Sequence, residues 1–227
     1  MFHHRYPALE SEAVADTSAT AEIAVVAQSR QDPRERLLSA MIETVALHGY
    51  EHTTTTLVAS GAGLEEAMFS EHFSGKQDCF IQATDDLLGR VEDAALAQFQ
   101  GVMPWAERVR LALHSLLHAL VRHPAAARVA LVEMLSAGDE VCERQRTVLG
   151  LFASLIEEGR SQSADSSALP PQTSEAIVGG VISILQRRVL CGNFAELPEL
   201  HSDLTYFALL PYLNHELALS VARPQGS

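Results

Sequence analysis

The chain has 227 residues and a mass of 24.6 kDa, enough for one domain or for a small domain beside a larger one. With 47% hydrophobic and 20% charged residues it can bury a real core, so the chain is not disordered overall. Its 16 basic against 29 acidic side chains give a formal charge of −13, which argues against sequence-blind attachment to nucleic acid or to an acidic membrane. No apolar run approaches the ~20 residues that span a bilayer. Cys79, Cys142 and Cys191 are odd in number and far apart, so neither a disulfide framework nor a zinc ribbon is expected, and a reducing cytoplasm fits. The opening MFHHRYPALESEA lacks the apolar centre of a secretion signal.

Residues 1–31 read as a flexible arm of Pro, Ala, Ser and Thr with little periodicity. Order is expected from Asp32. Asp32 is placed to cap a helix, Pro33 to open it, and Leu38, Met41, Ile42 and Val45 fall on one face. Gly49 ends it. Thr53 to Thr56 can cap a second, short helix, and Gly61-Ala62-Gly63 makes a tight turn. A short helix over Glu65 to His72 follows. Ser74-Gly75-Lys76-Gln77 resembles a capping box, opening a long helix striped by Phe80, Leu87, Val91 and Ala94. Further helices are expected over Trp105–Arg122, Pro124–Ala137, Asp139 to about Gln162, Thr173–Cys191, and Leu200 to about Ala222, the last kinked by Pro211. No stretch alternates as a strand does. The fold class is all-α, with about nine helices: a three-helix N-terminal domain over 32–92 and a larger helical domain over 93–223.

Helix, Thr run, short helix, Gly turn and short helix is helix-turn-helix spacing. The segment GYEHTTTTLVASGAGLEEAMFSEHFSGKQDCF resembles the DNA-binding part of tetracycline-repressor-like (TetR-family) regulators. The matching residues are Gly49, Tyr50, Thr53, Thr54, Val58, Ala59, Ala62, Gly63, Leu64, Phe69, His72, Phe73 and Lys76. The resemblance implies phosphate contacts by Thr53 and Thr54 before the helix pair, and by His72 and Lys76 after the reading helix. Base edges would then fall to the exposed residues of that helix, Glu65, Glu66, Ala67, Met68 and Ser70. The chain departs from the family pattern at Glu65, where Ser or Thr is usual, and at Ser70, where Tyr is usual. Thr44 stands where an apolar core residue is usual, and Thr55 where Val is usual. Residues 31–91 hold four basic and ten acidic side chains, a balance of −6.

In this family the larger domain holds a ligand cavity and a dimer interface. Val109, Leu113, Leu116 and Leu120 read as a buried stripe. Met103, Trp105, Met134, Leu151 and Phe152 are candidates to line a cavity for an apolar small-molecule effector. His114 and His118, one helical turn apart, are candidates for its edge; no metal and no cofactor is expected. Ile177, Val181 and Ile184, with Leu204, Phe207 and Leu210, are candidate dimer contacts, with Gly179 and Gly180 allowing close approach. Neither a nucleophile elbow, a phosphate loop nor HExxH is present, so no enzyme is expected. The expectation is a cytoplasmic, homodimeric, ligand-responsive repressor on a palindromic operator, without a membrane partner. The alternative is a ligand-binding or scaffold dimer of the same fold that has lost DNA binding.

Overall fold

The computed structural model describes residues 32–99, 102–163 and 168–224; the arm expected over 1–31 lies outside them. It contains ten α-helices and no strand among the described residues. Helix α1 (Pro33–His48) starts as the sequence dictates, with the Asp32 carboxylate accepting from Arg34 N at 3.2 Å. It ends at Gly49, where φ is +78°. Helices α2 (Thr55–Gly61) and α3 (Glu66–His72) follow, and α4 (Lys76–Phe99) is the long one. Two details differ from the sequence reading. Glu65 sits outside α3 as its N-cap residue, in extended backbone. Asp78 rather than Gln77 closes the start of α4, accepting from both Ser74 N (2.8 Å) and Ser74 Oγ (3.0 Å). These hydrogen bonds, led by the Ser74 amide, hold the Asp78 carboxyl below its ordinary pKa.

Helix α4 buries Cys79, Phe80, Ala83 and Leu88 towards α1, while Ala94 of the expected stripe is exposed and Ala95 is buried instead. A helix with 3.6 residues per turn moves its buried line by one position over this length. Burial pushes the Cys79 thiol up to about 12, which makes it inert. The 92/93 boundary expected between domains falls inside α4, and the first core is continuous with the body: Val129, Met134, Val141 and Val148 pack into it.

Helix α5 (Trp105–Arg122) has the expected limits. Pro124–Ala137 is two elements rather than one: α6 (Pro124–Leu131), a break at Val132, and a 3-10 turn over Glu133–Ser136. Helix α7 (Asp139–Glu157) continues as a 3-10 turn over Glu158–Gln162, and α8 (Thr173–Leu190) stops before Gly192. The expected last helix is three pieces. A 3-10 segment, Phe194–Leu200, leads into α9 (His201–Leu209), and α10 (His215–Ala222) restarts with the Asn214 side chain accepting from Leu217 N at 2.8 Å. Pro211 lies in the break. It ends the helix instead of kinking it, because a new cap three residues later, Asn214, serves the free N–H groups.

Candidate functional site

The two short helices cross on a turn that only glycine fits. Gly63 has φ +64°, and a Cβ there would lie 3.1 Å from Arg36 Nη2. Arg36, from α1, donates to the carbonyls of Ala62 and Gly63, which fastens the turn to the first helix. Phe69 and Phe73 are buried, with rings 5.5 Å apart, and Leu64 is partly buried against the same core. These anchors turn the other face of α3 outward. Glu65, Glu66, Ala67, Ser70 and Glu71 are exposed; Met68 and His72 are half-buried.

The expected phosphate contacts divide. Thr54 is exposed and caps α2, its hydroxyl oxygen accepting from Leu57 N at 3.2 Å. Thr53 does not fit that role in this conformation: it is 2% exposed and its proton goes to Gly49 O at 2.9 Å. It ties the loop that carries Thr54. Lys76 gives two of its three N–H groups to Tyr50 O (3.0 Å) and Glu51 O (3.4 Å), and its Nζ stands 4.5 Å from the centre of the Tyr50 ring. Its third N–H is not used by either contact.

Glu66 behaves unlike a free base-reading side chain. Its Oε1 accepts from the hydroxyls of Thr55 (3.0 Å) and Thr56 (2.9 Å), so it links α3 back to the start of α2. The departure at Thr55 is therefore matched by a partner, Glu66, on the next helix. Arg34 donates to Gln82 and lies 5.8 Å over the Phe73 ring, and Arg90 stands 3.9 Å from Asp86. With Arg36 and Lys76, every basic side chain between 32 and 91 has a partner inside the domain.

Beside this domain lies an apolar cavity of about 140 Å³, walled by α4 to α9. Val109, Leu113, Leu116 and Leu120 line it, so the stripe expected to be plain core is a cavity wall. Leu88, Val148, Phe152, Ile177 and Val181 complete much of the rest. Gln145 is the polar exception, and its Nε2 is held by Ala130 O at 2.7 Å.

Most of the expected pocket residues lie elsewhere. Phe152 is in the wall, but Leu151 is not. Met103 is 44% exposed in the loop before α5. Trp105 is buried below the cavity, with Nε1 donating to Leu155 O at 3.0 Å and its ring edge-on to Tyr212 at 5.4 Å. Met134 fills the core shared with α1 to α4. His114 and His118 are exposed, with rings 4.3 Å apart, and His201 lies 5.3 Å from His114. Desolvation first, then the neighbouring imidazoles, holds the His114 pKa below its ordinary value. Among the described residues no group of three or more His, Cys, Asp or Glu side chains is set to hold a metal.

The expected dimer contacts also divide. Ile177, Val181 and Leu204 are buried inside the subunit, the first two against the cavity, and Ile184 packs on the second core cluster. Ile177, Val181 and Leu204 are corrected to interior residues, and Ile184 is half-buried. Phe207 and Leu210 remain outside, 43% and 40% exposed. The Phe207 ring lies over Gly180, 3.2 Å from where a Cβ would stand.

Residues 37–83 match the sequence profile of bacterial regulatory proteins of the tetR family. A curated relative, the uncharacterized HTH-type transcriptional regulator YhgD of Bacillus subtilis, is 22% identical over 158 residues, spanning 68% of this chain and 83% of its own. The fatty acid degradation regulator FadR of Bacillus halodurans has a similar fold: TM-score 0.71 at 18% identity, over 80% of this chain and 96% of that one. FadR of Bacillus subtilis, in complex with stearoyl-CoA, gives a TM-score of 0.67 at 16% identity, over 78% of this chain and 98% of that one. At these identities the structural likeness is one of fold. Over residues 37–83, the helix-turn-helix segment, the chain is thus similar to bacterial regulatory proteins of the tetR family.

Proposed function

We propose that the chain is a homodimeric transcriptional repressor, released from a palindromic operator when a small apolar group enters the cavity of its body. The observation that carries this reading is the pairing of an outward-facing α3 with a separate apolar cavity that shares Leu88 and Val148 with the core beneath it. Apolar cavities of about 150 Å³ stay dry and take benzene-sized guests, so a wall of this chemistry favours a short hydrocarbon group over a charged one. The likeness to a regulator in complex with stearoyl-CoA supports an acyl group as that part of the effector. No helix among the described residues is long and apolar enough to cross a membrane.

Selection of bound sequences from random duplexes tests the reading. Two-fold symmetry predicts a dyad with half-sites about one helical turn apart, roughly 34–36 Å. Sites without a dyad overturn the repressor assignment. A second reading, a ligand-binding dimer that no longer reads DNA, is favoured by the internal engagement of Arg34, Arg36 and Lys76 and by the balance of −6 over residues 31–91. Phosphate neutralisation supplies most sequence-blind affinity, and little basic charge is free here. Under that reading the selection returns no enriched sequence.

The dimer is proposed to form on the exposed face of α8, through Ala176, Gly179, Ser183, Arg187 and Leu190, together with Phe207 and Leu210. Phe207→Glu with Leu210→Glu should give folded monomer in sedimentation. An unchanged dimer places the interface elsewhere. Leu204→Glu cannot serve as this test, because its side chain is interior and a buried charge would unfold the subunit.

A further inference from the structure

Helix α6 touches both halves of the molecule. Its last residues, Ala130 and Leu131, are in the cavity wall. Their carbonyls are gripped by the body, Ala130 O by Gln145 Nε2 at 2.7 Å and Leu131 O by Gln186 Nε2 at 2.6 Å. Two residues further on, past the break at Val132, stands Glu133, whose side chain is 12% exposed. Its Oε1 lies 3.3 Å from Arg128 Nη2, one turn back on α6. Its Oε2 accepts from the Tyr50 N–H at 3.4 Å and would lie 3.6 Å from a Cβ on Gly49. The Tyr50 carbonyl is taken by Lys76, its ring lies 4.7 Å from Phe80, and Thr53 closes the loop onto Gly49 O. Thr54, the helix cap aimed outward, comes next.

We infer that Glu133 is the residue that transmits occupancy of the cavity to the setting of the 49–54 loop, and through it to α2 and α3. This rests on the proposed effector site. The chain of contact is short: a guest against Leu131 moves the end of α6, and Glu133 moves with it. A hydrogen bond of 3.4 Å is already at its outer limit, so a displacement of a fraction of an ångström breaks it. Arg128 stands on the same helix and aims the carboxylate through their ion pair, so Arg128 and Glu133 move as one unit. The loop then loses the one tie described from Glu133 to a backbone amide, while Lys76 still holds it from the other side. Such an element, biased by one site and read at another, is what coupling requires.

The test needs no known effector. Ala112→Leu fills the cavity from α5, and Val178→Leu fills it from α8 should the first variant fail to fold. Hydrogen exchange is followed at the amides of residues 50–57 in the full-length protein. Either filler should speed that exchange by about fivefold or more. In a Glu133→Ala background the same amides should already exchange fast, and the filler should add nothing. Glu133→Gln, which keeps an acceptor, should restore part of the filler's effect. Equal acceleration by the filler with and without Glu133 overturns the inference and assigns coupling to the packing of α6 on α1. Calorimetry with hexanoyl-CoA separates the two failures. If the fillers leave binding of that probe unchanged, the effector site itself is misplaced, and the inference falls with it. If they abolish binding while the double variants stay additive, only the role of Glu133 is lost.

Discussion

Gly159→Ala should destabilise the protein by about 2–3 kcal/mol, a large effect for one methyl group. The new Cβ would stand 2.3 Å and 2.4 Å from two ring carbons of Trp105. That ring cannot swing aside cheaply. It is buried, its indole N–H is committed to Leu155 O, and the Tyr212 ring packs against it in a T-shaped pair. Tyr212 is fixed in turn by donating to Glu157 Oε2 at 3.2 Å, and burial, then the Glu157 charge, pushes its phenol up to about 12. The Tm should fall by roughly 4–12 °C at this chain length. The fluorescence of the single tryptophan reports the transition directly. Two controls isolate the cause. Gly150→Ala lies in α7 with nothing within 4 Å of the added methyl, so it should stabilise by roughly 0.5–1 kcal/mol. Trp105→Phe removes the colliding ring, so its combination with Gly159→Ala should be less damaging than the two single changes predict. A Gly159→Ala variant as stable as the parent would show that the end of α7 can move off α5.

The limits of reading from sequence follow the range of the forces involved. Local signals are explicit in the chain. Asp32-Pro33 opens α1, His123-Pro124 separates α5 from α6, and Gly63 turns α2 into α3, because caps and turns are decided within a few residues. The break at Pro211 is less visible. Leu209, Tyr212 and Leu213 keep a helical rhythm through it, and only the cap at Asn214 shows that the helix restarts. An apolar stripe names no partner. Ile177 and Val181 have the spacing of a dimer seam and form instead the wall of an interior cavity, while the stripe that looked like plain core, Val109 to Leu120, faces the same space. Pairings over distance are invisible in one sequence. Lys76 reaches Tyr50 across 26 positions, Glu66 reaches Thr56 across 10, and Glu133 reaches Tyr50 across 83. Each of these polar side chains reads on paper as free, and in the fold each is already bonded.

The three acidic residues of the proposed reading surface should therefore separate by role when each is changed alone. Glu66 is structural: its carboxylate gathers the Thr55 and Thr56 hydroxyls. Glu66→Ala should weaken operator binding by about tenfold, because the angle between α2 and α3 loosens when two charge-assisted bonds of ~1 kcal/mol net are lost at an exposed site. Glu66→Gln keeps an acceptor and should recover most of the affinity. Glu65 caps α3 with no side-chain hydrogen bond to its first turn, and Glu71 is exposed on the same helix. On the proposed mode of binding their charges oppose the duplex backbone. Glu65→Ser and Glu71→Gln should each raise affinity for the operator and for a scrambled duplex alike, and should steepen the dependence of log K on log salt by up to about 0.9. The gain at position 65 is reduced by the favourable helix-dipole term that its charge supplies, about 0.3–1 kcal/mol. Titrations of the parent and the four variants against both duplexes, at several salt concentrations, distinguish the outcomes. If Glu66→Ala relaxes discrimination with no loss of affinity, the residue reads a base and its threonine bonds give way on binding. If Glu65→Ser loses affinity for the operator alone, by the ~1–3 kcal/mol of a good base contact, then position 65 is the reader and the acid there is the source of specificity.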